Sequence, residues 1–131
     1  MTKPLVSIIT PCYNGEAFLK RYFESILNQT YPNLELIFIN DGSTDRTEEI
    51  ALSYRERLEK RGITYIYEKQ ENAGQAAALN RGLKLFTGEY LTWPDSDDEM
   101  VSDAVEKKVD YLEQHPDYGF CICKTKVVNE N

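Results

Sequence analysis

The amino-acid sequence predicts an α/β fold, a Rossmann-like three-layer α/β/α arrangement around a mostly parallel sheet. Two observations support this prediction. Short apolar runs alternate along the chain with segments of helical spacing, and the run at 34–39 is almost continuously apolar. Strands that alternate with helices indicate parallel pairing, and a continuous apolar run is typical of a strand buried on both faces. We expect the order βαβαβαβαβ in a single domain over residues 1–131.

The strands are predicted where apolar runs end at Pro, Gly or Asn residues. We expect the first strand to be stopped by Pro11 and the turn Tyr13-Asn14-Gly15, and the fourth strand to be stopped by Pro94. The five predicted strands cover residues 5–9, 34–39, 63–67, 90–93 and 118–128.

The helices are predicted from apolar residues that recur at helical spacing. The first covers 18–27, and the second follows a capping turn at 41–45 and runs to about Arg61, where Gly62 stops it. The third covers 76–86 with Gly88 at its end, and the fourth is capped by Ser102 with Val105, Val109 and Leu112 inward.

Composition excludes several classes of protein. The formal net charge of −7 argues against broad binding to nucleic acid. No apolar stretch is long enough to span a bilayer, and the first residues do not resemble a signal peptide, so we expect a soluble, cytoplasmic chain. The Cys count of 3 is odd and forms no CxxC pair. We therefore interpret Cys121 and Cys123 as small buried residues rather than a metal site.

The predicted sheet directs attention to the loops after its strands, because ligands of such sheets bind beyond the carboxyl ends of the strands. These loops are 11–15, 40–45, 71–75 and 95–99. None of them carries GxGxxG or GxxxxGK[ST], which argues against a nicotinamide dehydrogenase and against a P-loop enzyme.

The loop after the fourth strand is unusually acidic. Asp95-Ser96-Asp97-Asp98-Glu99 places four carboxylates in five residues, and these repel one another unless a cation lies among them. Carboxylate oxygens suit a hard divalent cation that also binds substrate phosphates. The alternative is a solvated acidic stretch before a helix, where negative charge is favourable.

Three further positions are candidates for ligand contacts. Asp41 follows an apolar strand and can accept a hydrogen bond from a base or a sugar, although Asp also favours turns. Tyr13 can stack on a planar ring or simply pack. Asn72 and Gly74 can let the backbone approach a ligand at a helix N-terminus, or can form an ordinary loop.

The sequence resembles family 2 glycosyltransferases with the GT-A fold. The resemblance rests on an ordered set of motifs from Leu5 to about Glu99. These are 6–15, Gln29-Thr30-Tyr31-Pro32, 35–37, Asn40 to Asp45, Asn72-x-Gly74, Asn80-Arg81-Gly82, Gly88-Glu89-Tyr90 and Asp95 to Asp98. It implies transfer of a sugar from a nucleotide-sugar, usually a UDP-sugar, to an acceptor hydroxyl with inversion, in polysaccharide or glycoconjugate synthesis.

The resemblance also implies roles for individual residues. Pro11, Tyr13 and Asp41 would lie around the base, with Asp41 accepting from its imide nitrogen, and Glu16 would approach the ribose. Asp95 would serve the ribose and the metal shell, and Asp97 would bind Mn²⁺ or Mg²⁺ between the phosphates. Asn72, Gly74 and Ser96 complete the expected nucleotide-sugar contacts.

Two sequence differences from the family and one missing region limit how many residue roles the resemblance implies for this chain. Many relatives have Ala-Arg-Asn at Ala78-Leu79-Asn80, and many have an aliphatic residue at Pro94. The family's general base comes from a second, acceptor-binding half that this chain does not match. We therefore expect an excised or truncated donor-binding half of a GT-A domain, inactive alone, or an unusually short gene product. Such a half either folds alone or exposes an edge that drives self-association.

Two other expectations and two alternatives follow. The acceptor would be a saccharide or a lipid-linked saccharide, and a longer protein would act at the inner face of a membrane. The alternatives are a nucleotidyltransferase, which would want a basic Gly-rich loop after the first strand, and a non-catalytic regulatory module that binds nucleotide or metal.

Overall fold

The computed structural model describes residues 3–94 and 99–117 of the chain. The described strands are β1 (Val6–Cys12), β2 (Leu34–Asp41), β3 (Thr64–Gln70) and β4 (Tyr90–Thr92). The described helices are α1 (Leu19–Leu27), α2 (Thr47–Ser53), α3 (Arg55–Lys60), α4 (Gln75–Leu83) and α5 (Ala104–Gln114). This order confirms the predicted α/β alternation, and the predicted fifth strand, 118–128, lies outside the described residues.

The strands form one parallel sheet in the order β3-β2-β1-β4. The chain thus moves outward from β1 to β3 and then returns to the other side of β1. In doubly wound sheets, this reversal of strand order marks the crevice where ligands bind, at the carboxyl ends of the strands. The fold therefore places three of the candidate loops, 11–15, 40–45 and 71–75, at the carboxyl ends of β1, β2 and β3.

Helices cover both faces of the sheet. Because side chains alternate along a strand, Leu36 and Phe38 of β2 join the larger core under α1, α2, α3 and α5, while Ile37 and Ile39 face α4. Helix α4 lies very close to β1, since a Cβ built on Gly82 would come within 2.4 Å of an Ile9 side-chain carbon. The predicted three-layer arrangement is confirmed.

The end of β1 differs from the prediction. Pro11 does not stop the strand, which continues to Cys12 with Pro11 opposite Ile39 of β2. Proline cannot donate to a sheet ladder, so it is tolerated where one side of the strand needs no donor. The described pairing of β1 with β4 already ends at Ile8. On that side of β1, no described β4 residue is paired with Pro11.

Three helix boundaries also differ. The predicted helix ending near Arg61 is two helices, α2 and α3, separated at Tyr54. Helix α4 ends at Leu83, whose side chain is exposed, and Gly88 lies in the following connection. Helix α5 begins at Ala104 without a side-chain cap from Ser102.

Two other helix predictions are confirmed. Val105 and Val109 are buried as expected, whereas Leu112 is only half-buried. Gly62, with φ of 86°, follows α3. In the part of the chain that the structure describes, no helix is long and apolar enough to cross a membrane.

Candidate functional site

Adjacent strands bring two candidate residues together at the carboxyl edge of the sheet. Cys12, the last residue of β1, pairs with Asn40 of β2. Tyr13 and Asp41 therefore leave the sheet side by side. The Tyr13 side chain is 52% exposed, whereas that of Asp41 is only 3% exposed. An exposed aromatic residue and a buried carboxylate thus occupy neighbouring backbone positions at the carboxyl ends of β1 and β2.

The carboxylate of Asp41 is held by the end of β3 and by the loop between β3 and α4. Its Oδ1 accepts hydrogen bonds from Gln70 Nε2 at 2.9 Å and from the Ala73 N–H at 2.8 Å. Its Oδ2 accepts from the Gly74 N–H at 3.0 Å. A buried carboxylate needs such donors, because burial without them strongly disfavours the charge.

These hydrogen bonds keep Asp41 ionised. Burial acts to raise the pKa of Asp41, but the donors Gln70, Ala73 and Gly74 outweigh it and hold the pKa below its usual value. The result is a fixed negative charge at the carboxyl edge of the sheet at neutral pH.

Asn72 and Gly74 both contact Asp41, and their predicted contacts with a nucleotide-sugar stay predictions. Asn72 Nδ2 donates to the Asp41 main-chain oxygen at 3.1 Å. Gly42 has φ of 69°, and a Cβ there would lie 2.6 Å from the Asn72 nitrogen. Gly74 has φ of 100° immediately before α4. The close approach of these two loops therefore depends on glycine at position 42.

A second set of hydrogen bonds joins the loops after β1 and β2. Asn14, with φ of 52°, donates its N–H to Ser43 Oγ at 2.9 Å. Its Oδ1 accepts from the Thr44 N–H at 2.8 Å. Asn tolerates a left-handed backbone better than most residues. These bonds fix the turn next to Tyr13 against the turn next to Asp41.

Glu16 takes part in the same connection. Its carboxylate accepts from the Arg46 N–H at 3.1 Å, and its own N–H donates to Asp45 Oδ2 at 3.1 Å. Asp45 Oδ1 also accepts from the Thr47 N–H at 2.9 Å at the start of α2. Burial acts to raise the pKa of Asp45, but these bonds lower it overall. Glu16 thus organises the loops, and its predicted approach to a ribose stays a prediction.

Pro11, like Asp41, is a buried residue among the predicted contacts. It lies within β1, one residue before the end of the strand. The prediction for Pro11 stays a prediction.

The predicted metal ligands lie outside the described residues. They are Asp95 and Asp97, and the predicted nucleotide-sugar contact Ser96 lies outside these residues as well. Among residues 3–94 and 99–117, no group of three or more Asp, Glu, His or Cys side chains could hold a metal ion. The case for a metal therefore rests on the oxygen donors in the sequence.

The segment that follows the acidic cluster is anchored by Gln29 and Thr30. Gln29 is 2% exposed, donates from Nε2 to the Val101 oxygen at 2.8 Å and accepts from the Val105 N–H at 3.2 Å. The Thr30 N–H donates to the Ser102 oxygen at 2.7 Å. The Gln-Thr-Tyr-Pro motif therefore fixes the start of α5.

Three contributors at the site were missed by reasoning from the sequence. Gln70 and Ala73 bind the Asp41 carboxylate, and Asn14 joins two loops. Only Asn14 carried a signal, as part of a Tyr-Asn-Gly turn. Gln70 and Ala73 depend on strand register, which spacing along the chain does not give.

Comparison with known proteins identifies the family. A family described as Glycosyl transferase family 2 matches residues 7–131. The chain belongs to this family. It is 42% identical over 127 residues to an uncharacterized glycosyltransferase of Haemophilus influenzae, covering 92% of this chain and 50% of that protein. It is 37% identical over 110 residues to a putative teichuronic acid biosynthesis glycosyltransferase, TuaG of Bacillus subtilis, covering 84% and 42%.

Solved structures of similar fold carry nucleotide ligands. TarS 1–349 of S. aureus in complex with UDP is 26% identical, with a TM-score of 0.78 over 86% of this chain and 33% of that chain. The mannosyltransferase PcManGT from Pyrobaculum calidifontis, in complex with GDP-Man and Mn²⁺, is 30% identical, with a TM-score of 0.76 over 86% and 33%. This chain spans half or less of the length of the curated relatives it matches.

Proposed function

We propose that the chain is the donor-binding half of an enzyme that transfers a sugar from a UDP-sugar to an acceptor hydroxyl with inversion. The observation that carries this proposal is the ionised, hydrogen-bonded Asp41 carboxylate at the end of β2, with the exposed Tyr13 following the paired end of β1. Membership of glycosyl transferase family 2 and the UDP complex of a similar structure support it.

The two residues offer what recognition of uracil requires. An ionised carboxylate only accepts hydrogen bonds, and the imide N–H of uracil is a donor that faces outward from the ring. An exposed tyrosine ring supplies a flat apolar surface on which a base can stack. We propose that Asp41 accepts from the base, that Tyr13 stacks on it and that Pro11 lines the same end of β1.

The remaining contacts extend from the base toward the phosphates. Glu16 serves the ribose, while Asn72 and Gly74 bring the start of α4 toward the donor, where the positive end of the helix dipole favours an anion. Asp95 and Ser96 complete the contacts to the nucleotide-sugar. Asp95 and Asp97 supply carboxylate oxygens, the ligands that Mn²⁺ and Mg²⁺ prefer. When bound there, the ion stabilises negative charge on the departing nucleoside diphosphate.

The transfer itself needs a general base that takes the proton of the acceptor hydroxyl. The acceptor oxygen forms a bond to the anomeric carbon as the bond to the nucleoside diphosphate breaks, and the acceptor proton passes to a general base. We assign no residue of this chain to that base. The acceptor we propose is a saccharide or a lipid-linked saccharide, in polysaccharide or glycoconjugate synthesis, and the location we propose is cytoplasmic, at the inner face of a membrane.

Calorimetric titration of UDP, with and without Mn²⁺, tests the proposal. We expect the wild-type chain to bind UDP with micromolar affinity in the presence of Mn²⁺. This affinity should fall at least tenfold without Mn²⁺ or in Asp97→Ala, and each tenfold loss corresponds to about 1.4 kcal/mol of binding free energy. GDP is the comparison ligand. Binding of neither nucleotide by the wild-type chain would contradict the proposal, and tighter binding of GDP than of UDP would contradict the choice of donor.

A further inference from the structure

Gln70 stands at the predicted base site without an assigned role. It is the last residue of β3 and lies directly opposite Asp41 in the register of the sheet. Its half-buried side chain donates from Nε2 to Asp41 Oδ1 at 2.9 Å. Because a carboxylate can only accept, the amide nitrogen of Gln70 must be the atom that faces it.

The hydrogen bonds to Asp41 are divided unequally between its two oxygens. An ionised carboxylate has about four lone-pair sites. Oδ1 uses two of them, for Gln70 and Ala73. Oδ2 has one short bond, from the Gly74 N–H at 3.0 Å, and a second contact with Asn72 Nδ2 at 3.5 Å. A contact of that length is at the limit of a hydrogen bond, so Oδ2 is the oxygen that can accept a stronger donor.

We propose that Gln70 is a positioning residue for base selection, which holds Oδ1 of Asp41 so that Oδ2 accepts the imide N–H of uracil. This inference rests on the proposed function and deepens it. Gln70 does not touch the base in this account, because its amide N–H is directed at Asp41. The main-chain donor Ala73 shares Oδ1, but it lies on an exposed loop, whereas Gln70 is fixed by the end of a strand.

Replacement of Gln70 separates this role from general support of the fold. Gln70→Met keeps the length of the side chain and removes its donor. Lys69→Met places the same new residue one position earlier on β3. Successive side chains of a strand point to opposite faces, and Lys69 pairs with Glu48 at 3.2 Å rather than with Asp41. Lys69→Met is therefore the matched control.

The experiment compares two pyrimidine nucleotides on the 131-residue chain. N3 of uracil carries a hydrogen and donates, while N3 of cytosine does not, so an Asp41 acceptor favours UDP over CDP. We expect wild type to prefer UDP. In Gln70→Met we expect UDP affinity to fall roughly tenfold, as for loss of a hydrogen bond to a charged group, with CDP affinity within about twofold of wild type. Lys69→Met should keep the wild-type UDP:CDP ratio.

Each other outcome overturns the inference in a distinguishable way. Equal losses for UDP and CDP in Gln70→Met would show general disruption, and unchanged UDP affinity would show that Gln70 has no part in binding. A wild-type chain that binds UDP and CDP equally would overturn base selection by Asp41 while leaving nucleotide binding intact. A chain that binds neither UDP nor GDP would overturn the proposed function and this inference with it.

A second variant covers a failure of Gln70→Met to fold. Gln70→Glu has nearly the same shape but directs a second carboxylate at Asp41, and like charges at hydrogen-bond distance repel. We expect its loss of UDP affinity to exceed that of Gln70→Met, again with a smaller change for CDP. Equal UDP affinity in Gln70→Glu and wild type would overturn the inference.

Discussion

Two buried carboxylates stand at opposite ends of the same strand. Glu35 lies near the amino end of β2 and Asp41 at its carboxyl end, and each is 3% exposed. Their positions differ by an even number of residues, so both side chains are on the α4 face of the sheet. Asp41 binds the loop that leads into α4, and Glu35 binds the connection that leaves it. The strand thus fixes this helix at both ends.

The partners of Glu35 are mainly hydroxyl groups. Its Oε1 accepts from Ser7 Oγ at 2.7 Å and from the Thr87 N–H at 2.9 Å, and its Oε2 accepts from Thr87 Oγ1 at 2.7 Å. The Gly88 N–H donates to the same Ser7 hydroxyl at 2.9 Å. A hydroxyl can both donate and accept, and its hydrogen rotates to suit.

The partners of Asp41 are all N–H groups, which can only donate. They hold the side chain as an ionised acceptor, and the exposed Tyr13 follows the neighbouring strand end. Similar burial therefore has different consequences. The side chain at position 35 has to accept the hydrogen bonds that hold the connection between α4 and β4. The side chain at position 41 has to carry a negative charge.

The largest effect is expected from truncation of the Glu35 side chain, near the amino end of β2. Glu35→Ala leaves the Ser7 hydroxyl and two Thr87 donors without their acceptor, and we expect the free energy of unfolding to fall by about 2–4 kcal/mol. Urea denaturation measures this change. Glu35→Gln should lose less than about 1 kcal/mol, because the Thr87 hydroxyl can turn to accept from the new amide. Equal losses in the two variants would contradict this assignment.

A smaller effect is expected at Tyr13, and it concerns binding alone. Tyr13→Ala removes an exposed ring, so we expect UDP affinity to fall roughly tenfold, in the range measured for stacking of a base on an aromatic ring. The free energy of unfolding should stay within about 0.5 kcal/mol. Tyr13→Phe, which keeps the ring, should bind UDP nearly as wild type does. Loss of affinity in Tyr13→Phe would place the contribution in the hydroxyl instead.

The smallest effect is the acid sensitivity that Asp41 contributes. Hydrogen bonds hold its folded-state pKa below the ordinary value of about 3.9. The stabilisation is therefore complete above that ordinary value and is lost as the pH falls through the lowered folded-state pKa. As the pH is lowered, the urea midpoint of Asp41→Asn should decrease less steeply than that of wild type. Parallel pH profiles would contradict the hydrogen-bonded, ionised state of Asp41.

The sequence predicts the layers of the fold better than the contacts of the site. The apolar run 34–39 and the turn after it were enough to place Asp41 at the carboxyl end of a buried strand. The partner Gln70 was not predictable, because its position opposite Asp41 depends on the register between β2 and β3. Pro11 was misjudged as a strand end, since its tolerance depends on how far β4 extends beside it.

The expected metal ligands Asp95 and Asp97 stay predictions, because they lie outside the described residues. Their interpretation comes from the resemblance of the sequence and from the preference of hard cations for oxygen. The binding experiment with Asp97→Ala tests it directly.

The most direct test of the account is UDP affinity in Asp41→Asn and Glu35→Gln, measured side by side by calorimetry with wild type. In Asp41→Asn, an amide NH₂ must face N–H donors and the charge is gone, so we expect UDP affinity to fall at least tenfold. In Glu35→Gln we expect UDP affinity within about twofold of wild type, since its hydroxyl partners adapt. Equal affinity in both variants, or a larger loss in Glu35→Gln, would contradict the assignment of the binding site to the carboxyl edge of the sheet.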